Sequence, residues 1–579
     1  MKTVLDERTV AASHPSAVPP AWAAGVVGIV AGAVALGVAQ LVAGLFAPET
    51  NPVTAVGGVA VDLAPAPLKD WAIATFGEAD KAVLIGGILA VLAVIAAALG
   101  VLASHRSPRY GTAGFVLFGL VGAAAAVTRP AAGLLDAVPS LAGTLAGVRA
   151  LPILLRRATP RAGDLPVAPD DLRTADDEPQ LASAASGPAG RTGVLRLVHP
   201  PVKPPITRPL RPPVMRAGAE LRAVDRRGLL TGAVAGIAVA GAGLFAGNAL
   251  SGGRQVDVAR DTLRLPPPAR PAPPLPAGAD LRIAGLAPFV TSNDDFYRVD
   301  TALIIPRVDP ASWTLRVHGM VSRPIEITFD ELIRRPLIEA DVTLTCVSNE
   351  VGGPYIGNAR WLGASMADLL REAGVSPEAD MLLSTSADGW TCGTPLDVVM
   401  DGRDALFAVA MNGEPLPVAH GFPARQVVPG LYGYVSATKW VTEIKVTRFD
   451  RDEAYWTSRG WAAKGPIKTQ SRIDVPKWGA TVPAGRTTIA GVAWAQHRGI
   501  SAVEVRVDDG PWRQARLAET PGPDTWRQWV IDDWEATPGR HRIQVRATDA
   551  AGHTQPEEPR PPAPDGATGW HTVEVEVTA

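Results

Sequence analysis

Five apolar runs in the N-terminal half of the chain are each long enough to cross a bilayer. A transmembrane helix needs roughly 20 apolar residues, and the runs lie at 22–46, 82–103, 111–128, 131–155 and 228–250. The third run is short, and Pro139 and Pro152 are expected to break the fourth. The first is too long for a cleavable signal peptide. The pattern predicts an α-helical transmembrane region in 1–158, with about four helices, and a fifth transmembrane helix in 227–251.

Two segments lack the periodicity of helices and strands. Residues 159–226 are rich in Pro, Ala, Arg and Asp, a composition that predicts a disordered linker. Residues 252–284 include the run LRLPPPARPAPPLPAG at 263–278. Because proline-rich chains are stiff and extended, this second segment is predicted to be a spacer.

The composition of 285–452 is that of an ordinary globular domain. The segment SWTLRVHGMV, 312–321, alternates apolar and polar residues as a half-buried strand does. Thr328 and Glu331 have the spacing of a capping box before a short helix. The segment SMADLLREAGV, 365–375, has the pattern of an amphipathic helix that a glycine ends. Strands mixed with short helices predict an α+β domain.

The last part of the chain, 453–579, has a different pattern. In SAVEVRVDDGPWRQARL, 501–517, alternating valines lead into an Asp-Gly turn, and HRIQVRATDAAG, 541–552, alternates in the same way. Three tryptophans are expected in the core: Trp526, Trp529 and Trp534. Repeated strands with turn signals and buried tryptophans predict a C-terminal immunoglobulin-like β-sandwich.

Loop charges predict how the chain crosses the membrane. Loop 47–81 carries more acidic than basic residues and is therefore expected to be external. Basic residues follow the second and fourth runs, at His105, Arg106, Arg109, Arg156, Arg157 and Arg161. These loops agree on a cytoplasmic N-terminus and a cytoplasmic linker. A multi-pass protein of the cell membrane is predicted, embedded in the lipid bilayer, with everything after about residue 251 on the external face.

The arginine pair Arg226 and Arg227 before the fifth run has two interpretations. The pair can be the basic cytoplasmic flank of a membrane helix. It also resembles a twin-arginine export signal inside the chain, a type of signal that carries folded proteins. Asp225 and Leu229 differ from the residues usual in such a signal. Both interpretations give the same topology.

Net charge and cysteine count limit the possible functions, and they direct attention to Cys346. The net charge of -2 argues against a nucleic-acid partner. With two cysteines, Cys346 in LTCVSNEVGG has three open roles: a disulfide with Cys392, a nucleophile with His420 as base, or a metal ligand. It lacks the CxxC company of a zinc site, but a lone thiolate is a sufficient protein ligand when a cofactor brings other soft ligands. Cys392 is otherwise expected to be a small buried residue.

Four motifs in order along the chain resemble one family. They are NDDFYRVD at 293–300, LTCVSNEVGG at 344–353, ARWLGASMADLLREAGV at 359–375 and AHGFPARQVVPGLYGYVSATKWV at 419–441. Together they resemble the sulfite oxidase family of molybdopterin enzymes, and within it the membrane-anchored actinobacterial members. The resemblance covers about 285–579 and implies a molybdopterin-binding catalytic domain in 285–452. It also implies that 453–579 is a dimerisation-type domain.

The resemblance assigns a role to each matching position. Cys346 matches the thiolate that ligates molybdenum beside the two sulfurs of molybdopterin. Arg298 matches a catalytic arginine that lines an anion pocket near the metal and the cofactor. His420 and Arg425 match a pair that binds the pterin phosphate, for which a guanidinium is well suited. The other implied cofactor-binding residues are Asn293, Tyr297, Asp300, Asp388, Ala437, Thr438 and Lys439.

The chain differs from the family in the residues expected to bind the substrate. Sulfite oxidases continue after the ligand cysteine with a Gly-Asn-Arg-Arg run, whereas Glu350 and Val351 stand here where the arginines are expected. A pocket with fewer cations should bind the sulfite dianion poorly. The prediction is therefore two-electron oxygen-atom transfer on a small S- or N-containing substrate such as a neutral oxide. Sulfite oxidation proper and a non-catalytic, partner-organising envelope protein are the alternatives.

The electron partner is expected to be a separate molecule. No apolar run carries paired histidines, so a haem inside the chain is not expected. Electrons should pass to or from another protein or a quinone. The family also has a tyrosine near the metal, and the segment YWTSRGW offers Tyr455, Trp456 or Trp461 for that position.

Overall fold

The computed structural model describes residues 18–46, 50–65, 68, 71, 75–76, 80–129, 132–160, 224–250 and 253–579. They belong to two compact units. The first comprises the described residues of Met1–Val34, Leu92–Val116 and Leu145–Val239. The second comprises those of Ala35–Val91, Leu117–Thr144 and Ala240–Ala579. The linker predicted for 159–226 falls on 161–223, outside the described residues.

Five helices in the N-terminal half have the length and hydropathy of a bilayer span. In chain order the helices are α1 (Ala21–Phe46), the shorter α2 (Pro52–Leu63), α3 (Asp80–His105), α4 (Pro108–Val127), α5 (Val138–Ala158) and α6 (Arg226–Leu250). Within the first unit, a Cβ on Gly28 of α1 would lie 2.0 Å from the carbonyl oxygen of Ala96 in α3. Glycine is therefore required for this close approach, as is common between membrane helices. The prediction of five long apolar helices is confirmed.

The fourth apolar run is not broken by its prolines, contrary to the prediction. A 3₁₀ turn, Leu134–Ala137, precedes α5, and α5 then continues through Pro152. Pro139 lies in the first helical turn, where the backbone nitrogens have no intrahelical acceptor to lose. Pro152 forfeits a single backbone hydrogen bond, and the turns on both sides of it stay helical.

Helix α6 begins directly with the arginine pair. The Asp225 carboxylate accepts a hydrogen bond from the Gly228 amide at 2.9 Å and so caps the helix. The acidic residue in front of the pair therefore has a structural role in starting the helix. This role is compatible with both interpretations of Arg226 and Arg227.

The predicted spacer is wrong in its first part, because Gly253–Thr262 forms helix α7. Val256 is almost fully buried in the core of the second unit. Arg260 donates to the carbonyl oxygens of Leu416 and Pro415 at 2.9 and 3.0 Å. These contacts stabilise a helix too short to be evident from periodicity alone.

The proline-rich residues after α7 are packed against the domain rather than free. The Ala269 amide donates to the Leu337 carbonyl at 2.8 Å, and the Glu339 amide donates to the Arg270 carbonyl at 2.9 Å. Arg270 pairs with Ile338 as an isolated parallel bridge. The segment is extended, as predicted, but it continues the edge of a sheet.

Two sheets form the central domain. The first has the order β2-β1-β10-β5-β6, and the second has the order β3-β4-β7-β8, with β9 also paired to β7. The strands are β1 (Thr314–Gly319), β2 (Ile325–Thr328), β3 (Leu337–Thr345), β4 (Ile356–Ser365), β5 (Met381–Ser386), β6 (Thr391–Pro395), β7 (Leu406–Met411), β8 (Glu414–Pro415), β9 (Arg425–Val427) and β10 (Val441–Thr447). The helices are α8 (Phe329–Ile333), α9 (Met366–Ala373) and α10 (Leu396–Met400). The mixture of strands and short helices agrees with the α+β prediction.

Short sequence patterns correctly predicted the position of several of these helices and strands. Thr328 and Glu331 form the predicted capping box at the start of α8. Gly374, with φ of 67°, ends α9. Leu315 and Val317 of β1 are buried, as the alternation required.

Two facing sheets form the C-terminal region. Their orders are β11-β13-β17-β16 and β12-β19-β18-β14-β15, and residues from both share one core. The strands are β11 (Gln470–Val475), β12 (Thr481–Pro483), β13 (Gly485–Trp494), β14 (Ile500–Val507), β15 (Arg513–Gln514), β16 (Arg516–Leu517), β17 (Arg527–Ala536), β18 (Gly539–Asp549) and β19 (His571–Thr578). Trp526, Trp529 and Trp534 are buried as expected.

The C-terminal strands share packing with the central domain. Trp494 and Trp526 belong to the large core that the central sheets form. The Trp526 amide donates to the Thr343 hydroxyl at 2.8 Å, and the Gln496 side chain donates to the Thr343 carbonyl at 3.1 Å. The C-terminal region therefore helps to fix the end of β3, where Cys346 follows.

Candidate active site

Cys346 is a free thiol just beyond the end of β3. Its amide donates to the Tyr355 carbonyl at 3.0 Å, and its carbonyl accepts from the Asn349 amide at 3.1 Å. Burial raises the pKa of the thiol, while a hydrogen bond from Ser348 and the charge of Lys439 oppose the rise. Cys392 is also free and is fully buried in β6, so the two cysteines are not joined in a disulfide.

The loop after Cys346 is held by the C-terminal region. Gly352 has φ of 79°, and a Cβ there would lie 2.2 Å from ring atoms of His571. Arg472 donates to the Gly353 carbonyl at 3.0 Å, and the Asn349 side chain accepts from the Tyr355 amide at 2.8 Å. Because the loop is fixed at both ends, the thiol has a defined position.

Tyr297 lies beside Cys346 and is buried. Its ring stacks on Phe296, with the ring centroids 5.3 Å apart, and it is tilted towards Tyr355. Burial, and then the neighbouring Cys346, raise the pKa of the phenol well above its usual value. Tyr297 is therefore a neutral O–H donor at physiological pH.

His420 is buried next to this aromatic group. Its Nε2 lies 3.2 Å from the Asn293 carbonyl oxygen, which can only accept a hydrogen bond. Burial, followed by the charges of Arg425 and Lys439, lowers the pKa of His420 from 6.5 to about 4. The ring is thus neutral at physiological pH and is oriented by a backbone group, not by the thiol.

Arg425 is a buried cation that has no carboxylate partner among the described residues. Its side chain is 5% exposed, it donates to the His420 carbonyl at 3.1 Å, and its guanidinium carbon lies 5.0 Å from the centre of the Trp361 ring. Its Nε has no hydrogen-bond partner within the part of the chain that the structure describes. Burial lowers its pKa to about 10, so the charge persists at neutral pH. A buried, incompletely paired guanidinium is costly unless an anion binds to it.

Asp300 connects three further cations. Its Oδ2 lies 2.6 Å from Lys439 Nζ and 3.4 Å from Arg298 Nε, and Lys81 of α3 contacts its Oδ1. Burial alone would raise the pKa of Asp300, but Lys439 and Lys81 lower it to about 2. Burial lowers the pKa of Lys439 to about 8, against the opposing attraction of Asp300. Three cations therefore contact a single carboxylate, and Arg425 adds a fourth positive charge near Lys439, so the site is strongly cationic.

The site also lacks a conventional metal cage. No group of three or more His, Cys, Asp or Glu side chains arranged for a metal ion occurs among the described residues. A metal at Cys346 would therefore need most of its ligands from a cofactor. The combination of one available thiol and excess buried positive charge suits an anionic metal cofactor.

Comparisons with known proteins identify the family. Residues 302–456 match the family described as oxidoreductase molybdopterin binding domain. Sulfite oxidase of Gallus gallus is 31% identical over 322 residues, which cover 47% of this chain and 69% of that protein. The chain belongs to the sulfite oxidase family of molybdopterin-dependent oxidoreductases.

Other relatives are consistent with this membership. The mitochondrial sulfite oxidase of Mus musculus is 31% identical over 342 residues, covering 50% of this chain and 62% of that protein. The chain thus spans less than two thirds of the mouse protein. The solved structure of the sulfane dehydrogenase SoxCD from Paracoccus pantotrophus is 26% identical in sequence. The match covers 50% of this chain and 84% of the SoxCD chain, with a TM-score of 0.42. A TM-score this low adds no structural argument.

The buried residues fit the molybdopterin that sulfite oxidase family enzymes use. Arg425, with its unpartnered Nε, matches the need of a terminal phosphate for a buried cation. His420 and Lys439 adjoin it, since Arg425 donates to the His420 carbonyl and Lys439 Nζ lies 3.4 Å from the carbonyl oxygen of the preceding residue, Ala419. The half-buried Cys346 thiol provides the single soft ligand that such a metal centre requires.

Four of the predicted cofactor-binding positions have other recorded contacts. The Asn293 side chain is bonded to Asn412 and Met411 at 2.9 and 3.3 Å. The fully buried Thr438 hydroxyl lies 2.7 Å from that of Ser384, which fixes the backbone before Lys439. The remaining two are Ala437, whose amide donates to the Gly433 carbonyl at 3.0 Å, and Asp388, which accepts from the Trp390 amide at 3.2 Å in the β5–β6 turn. No recorded contact joins Asp388 to the cluster in the described part of the chain.

The sequence did not predict two features of the site, the contact of Lys81 with Asp300 and the position of the Tyr297 ring. From the sequence, Lys81 is only one of the charges of loop 47–81, and its contact with Asp300 joins residues 219 positions apart. Tyr455, expected near the metal, donates its hydroxyl to Asp62 at 2.5 Å. The YRVD sequence placed Tyr297 among the cofactor-binding residues, but only the fold puts its ring beside Cys346.

Proposed function

We propose that this protein is a membrane-anchored molybdopterin-dependent oxidoreductase that transfers an oxygen atom, with two electrons, to or from a small S- or N-containing molecule outside the cytoplasm. The observation that carries the proposal is the arrangement of one half-buried free thiol, Cys346, beside a buried cluster of cations that includes Arg425. Family membership supports a catalytic role and argues against a non-catalytic envelope protein.

Each residue of the cluster has a separate task in this proposal. The Cys346 thiolate would bind the molybdenum, and Arg425 with His420 would bind the pterin phosphate. Lys439, held by Asp300, adds a further positive charge near them. Tyr297 can hold a proton on its phenol oxygen close to Cys346, because its pKa is raised. When bound, the cofactor supplies a metal that cycles between oxidation states two electrons apart.

Contacts within the second unit support the external location. The loop between α1 and α3 is expected outside on charge grounds. Asp62 of α2 accepts hydrogen bonds from Tyr455 and Arg459, and Lys81 contacts Asp300. A loop that contacts the catalytic domain must lie on the same face of the membrane as that domain. The charges of the other loops are independent of these contacts and support the same topology. Of the charges used for this loop, Glu49, Lys69, Asp70 and Glu78 lie outside the described residues, as does Arg161 in the cytoplasmic linker.

The substrate is proposed to be a neutral sulfoxide or N-oxide. The loop after Cys346 contributes no cation, because Glu350 is exposed and Val351 is apolar. Arg298, the cation expected to face the substrate, lies 3.4 Å from Asp300 and is partly neutralised by it. Sulfite oxidation is the second candidate, because the matched relatives are sulfite oxidases.

The C-terminal region is proposed to be an immunoglobulin-like domain that forms a homodimer. Its two facing sheets around one core support the first part of this proposal. The family resemblance of the region supports the second. The electron partner is proposed to be a carrier protein or a quinone.

Metal analysis and kinetics test the function on the full chain purified in detergent. The expected results are close to one molybdenum and one molybdopterin per chain, and turnover of small sulfoxides or N-oxides with a reduced artificial donor. The specificity constant for these oxides should exceed that for sulfite with an oxidised acceptor. Protein without molybdenum would contradict the enzyme assignment. A high specificity constant for sulfite, with none for the oxides, would contradict the substrate assignment alone.

A further inference from the structure

Lys81 belongs to the helical N-terminal half but contacts the centre of the proposed cofactor site. It is the second residue of α3, and its side chain is 19% exposed. Its Nζ donates to the Asp300 carbonyl at 2.9 Å and also to the Asp300 carboxylate. The carboxylate is 5% exposed, so this ion pair is shielded from solvent.

Asp300 uses its other carboxylate oxygen to hold a cofactor-site residue. Its Oδ2 accepts from Lys439 Nζ at 2.6 Å. Lys439 therefore shares its carboxylate partner with Lys81. Without Lys81, the negative charge of Asp300 would be shared by Lys439 and the more distant Arg298 alone, and it would weaken the attraction of Lys439 for an anion. Lys81 thus leaves the charge of Lys439 available to the cofactor.

Other contacts within the same unit show that Lys81 is not an isolated surface pair. Asp62 of α2 accepts from the Tyr455 hydroxyl at 2.5 Å and from Arg459 at 3.2 Å. The Arg459 guanidinium stacks on the Tyr455 ring at 3.6 Å. A Cβ on Gly57 of α2 would lie 2.8 Å from a methyl carbon of Leu303. The segment that includes α2 and the start of α3 is therefore packed against the catalytic domain at several points.

We propose that Lys81 is a positioning residue of the cofactor site, so that the N-terminal helical segment completes the site that the catalytic domain begins. Lys81 acts through Asp300 on Lys439 and needs no contact with the cofactor. The inference rests on the proposed cofactor site. It gives the start of α3 a role in retaining the cofactor, in addition to anchoring.

The test compares cofactor retention in variants of the full chain. Lys81→Met removes the charge, and Lys81→Arg retains it. Lys468→Met is the matched control, because Lys468 also donates to one carboxylate and one carbonyl, those of Asp565 and Gly566, at 2.8 and 2.7 Å. Each holoprotein is held at raised temperature, and released pterin is followed by its fluorescence after oxidation. Molybdenum and pterin contents are also measured as purified.

Lys81→Met should release the cofactor about tenfold faster than wild type, because Lys439, then more fully neutralised by Asp300, would lose a charge-assisted contact with the cofactor, which is worth about a factor of ten or more. Lys81→Arg and Lys468→Met should release it at the wild-type rate. The double variant Lys81→Met with Asp300→Asn restores the net charge of the cluster. It should therefore release the cofactor more slowly than Lys81→Met alone. A merely structural role of Lys81 would not give this rescue.

Two results would overturn the inference. One is release from Lys81→Met at the wild-type rate, and the other is a double variant no better than the single one. Arg425→Ala is measured in parallel to separate the two proposals. If Arg425→Ala loses the cofactor and Lys81→Met retains it, the role of Lys81 is wrong and the cofactor site stands. If Arg425→Ala also retains the cofactor, the site itself is wrong and the role of Lys81 falls with it.

Discussion

Replacing Arg425 by methionine should change the stability of the apoprotein and the binding of the cofactor in opposite directions. Burial lowers the pKa of Arg425 from 12.5 to about 10. Since one pKa unit corresponds to about 1.4 kcal/mol, the buried charge costs the apoprotein on the order of 3 kcal/mol. Methionine has a similar length and carries no charge. It therefore removes this cost and also the unpartnered Nε.

The substitution also removes favourable contacts, which sets the expected magnitude. The hydrogen bond to the His420 carbonyl and the stacking on Trp361 together contribute about 1–2 kcal/mol. The apo variant should therefore be more stable than wild type by on the order of 1 kcal/mol, a rise of a few degrees in Tm. In the holoprotein the lost phosphate contact should weaken cofactor binding by about 10–100-fold.

Thermal unfolding of the apo and holo forms, with molybdenum and pterin analysis, measures both effects. Arg498→Met is the control, because Arg498 donates to the buried Asp549 at 2.8 Å and lies in the C-terminal region. The control should destabilise both forms, since it deprives a buried carboxylate of its arginine partner, and should keep the wild-type cofactor content. If Arg425→Met lowers the apoprotein Tm as much as the control does and keeps the cofactor, Arg425 is not an anion-binding residue.

Three further predictions test the metal ligand, the topology and the pH dependence. Cys346→Ser should lower turnover by more than about two orders of magnitude while pterin content stays near wild type, because serine is a poor ligand for a soft centre; wild-type turnover would refute the ligand. A reporter active only outside the cytoplasm should be active at the C-terminus and silent near residue 190; the reverse pattern would refute the external site. Burial, and then Arg472, lower the pKa of His571 from 6.5 to about 4. The contribution of His571 to the stability of the apoprotein should therefore be fully present above pH 6.5 and fall by about 1.4 kcal/mol per pH unit as the pH falls towards 4, in addition to a similar contribution from His420. Equilibrium unfolding of His571→Gln should show a slope that is smaller by this amount.

The elements that the sequence predicted correctly are those fixed by neighbouring residues. The capping box at Thr328 and the alternation in β1 depend on a few adjacent positions. Helix α7 was missed because it has only ten residues and is stabilised by distant contacts, such as Arg260 with the Leu416 carbonyl. Pro152 was misjudged because a helix interior can lose one hydrogen bond and continue.

Only those site residues that lie within the four family motifs could be predicted from the sequence. The cluster of Cys346, Arg425 and Lys439 was expected from the family resemblance, and periodicity alone would have left each as an ordinary polar residue. The contact of Lys81 with Asp300 could not be predicted, because it depends on how a segment outside the matched domain packs. A local pattern carries no information about a pair 219 residues apart.

The charge balance of the cluster connects the cofactor to the choice of substrate. Arg425 is expected to serve the phosphate, and the charges of Lys81, Lys439 and Arg298 are shared with Asp300. Of these cations only Arg298 is expected to face a substrate, and the loop after Cys346 supplies no cation. A dianion such as sulfite would have to compete with Asp300 for Arg298, whereas a neutral oxide needs only a hydrogen-bond donor, which Tyr297 can provide. The sharing of Arg298 with Asp300 is thus the observation that supports the proposal of a neutral substrate.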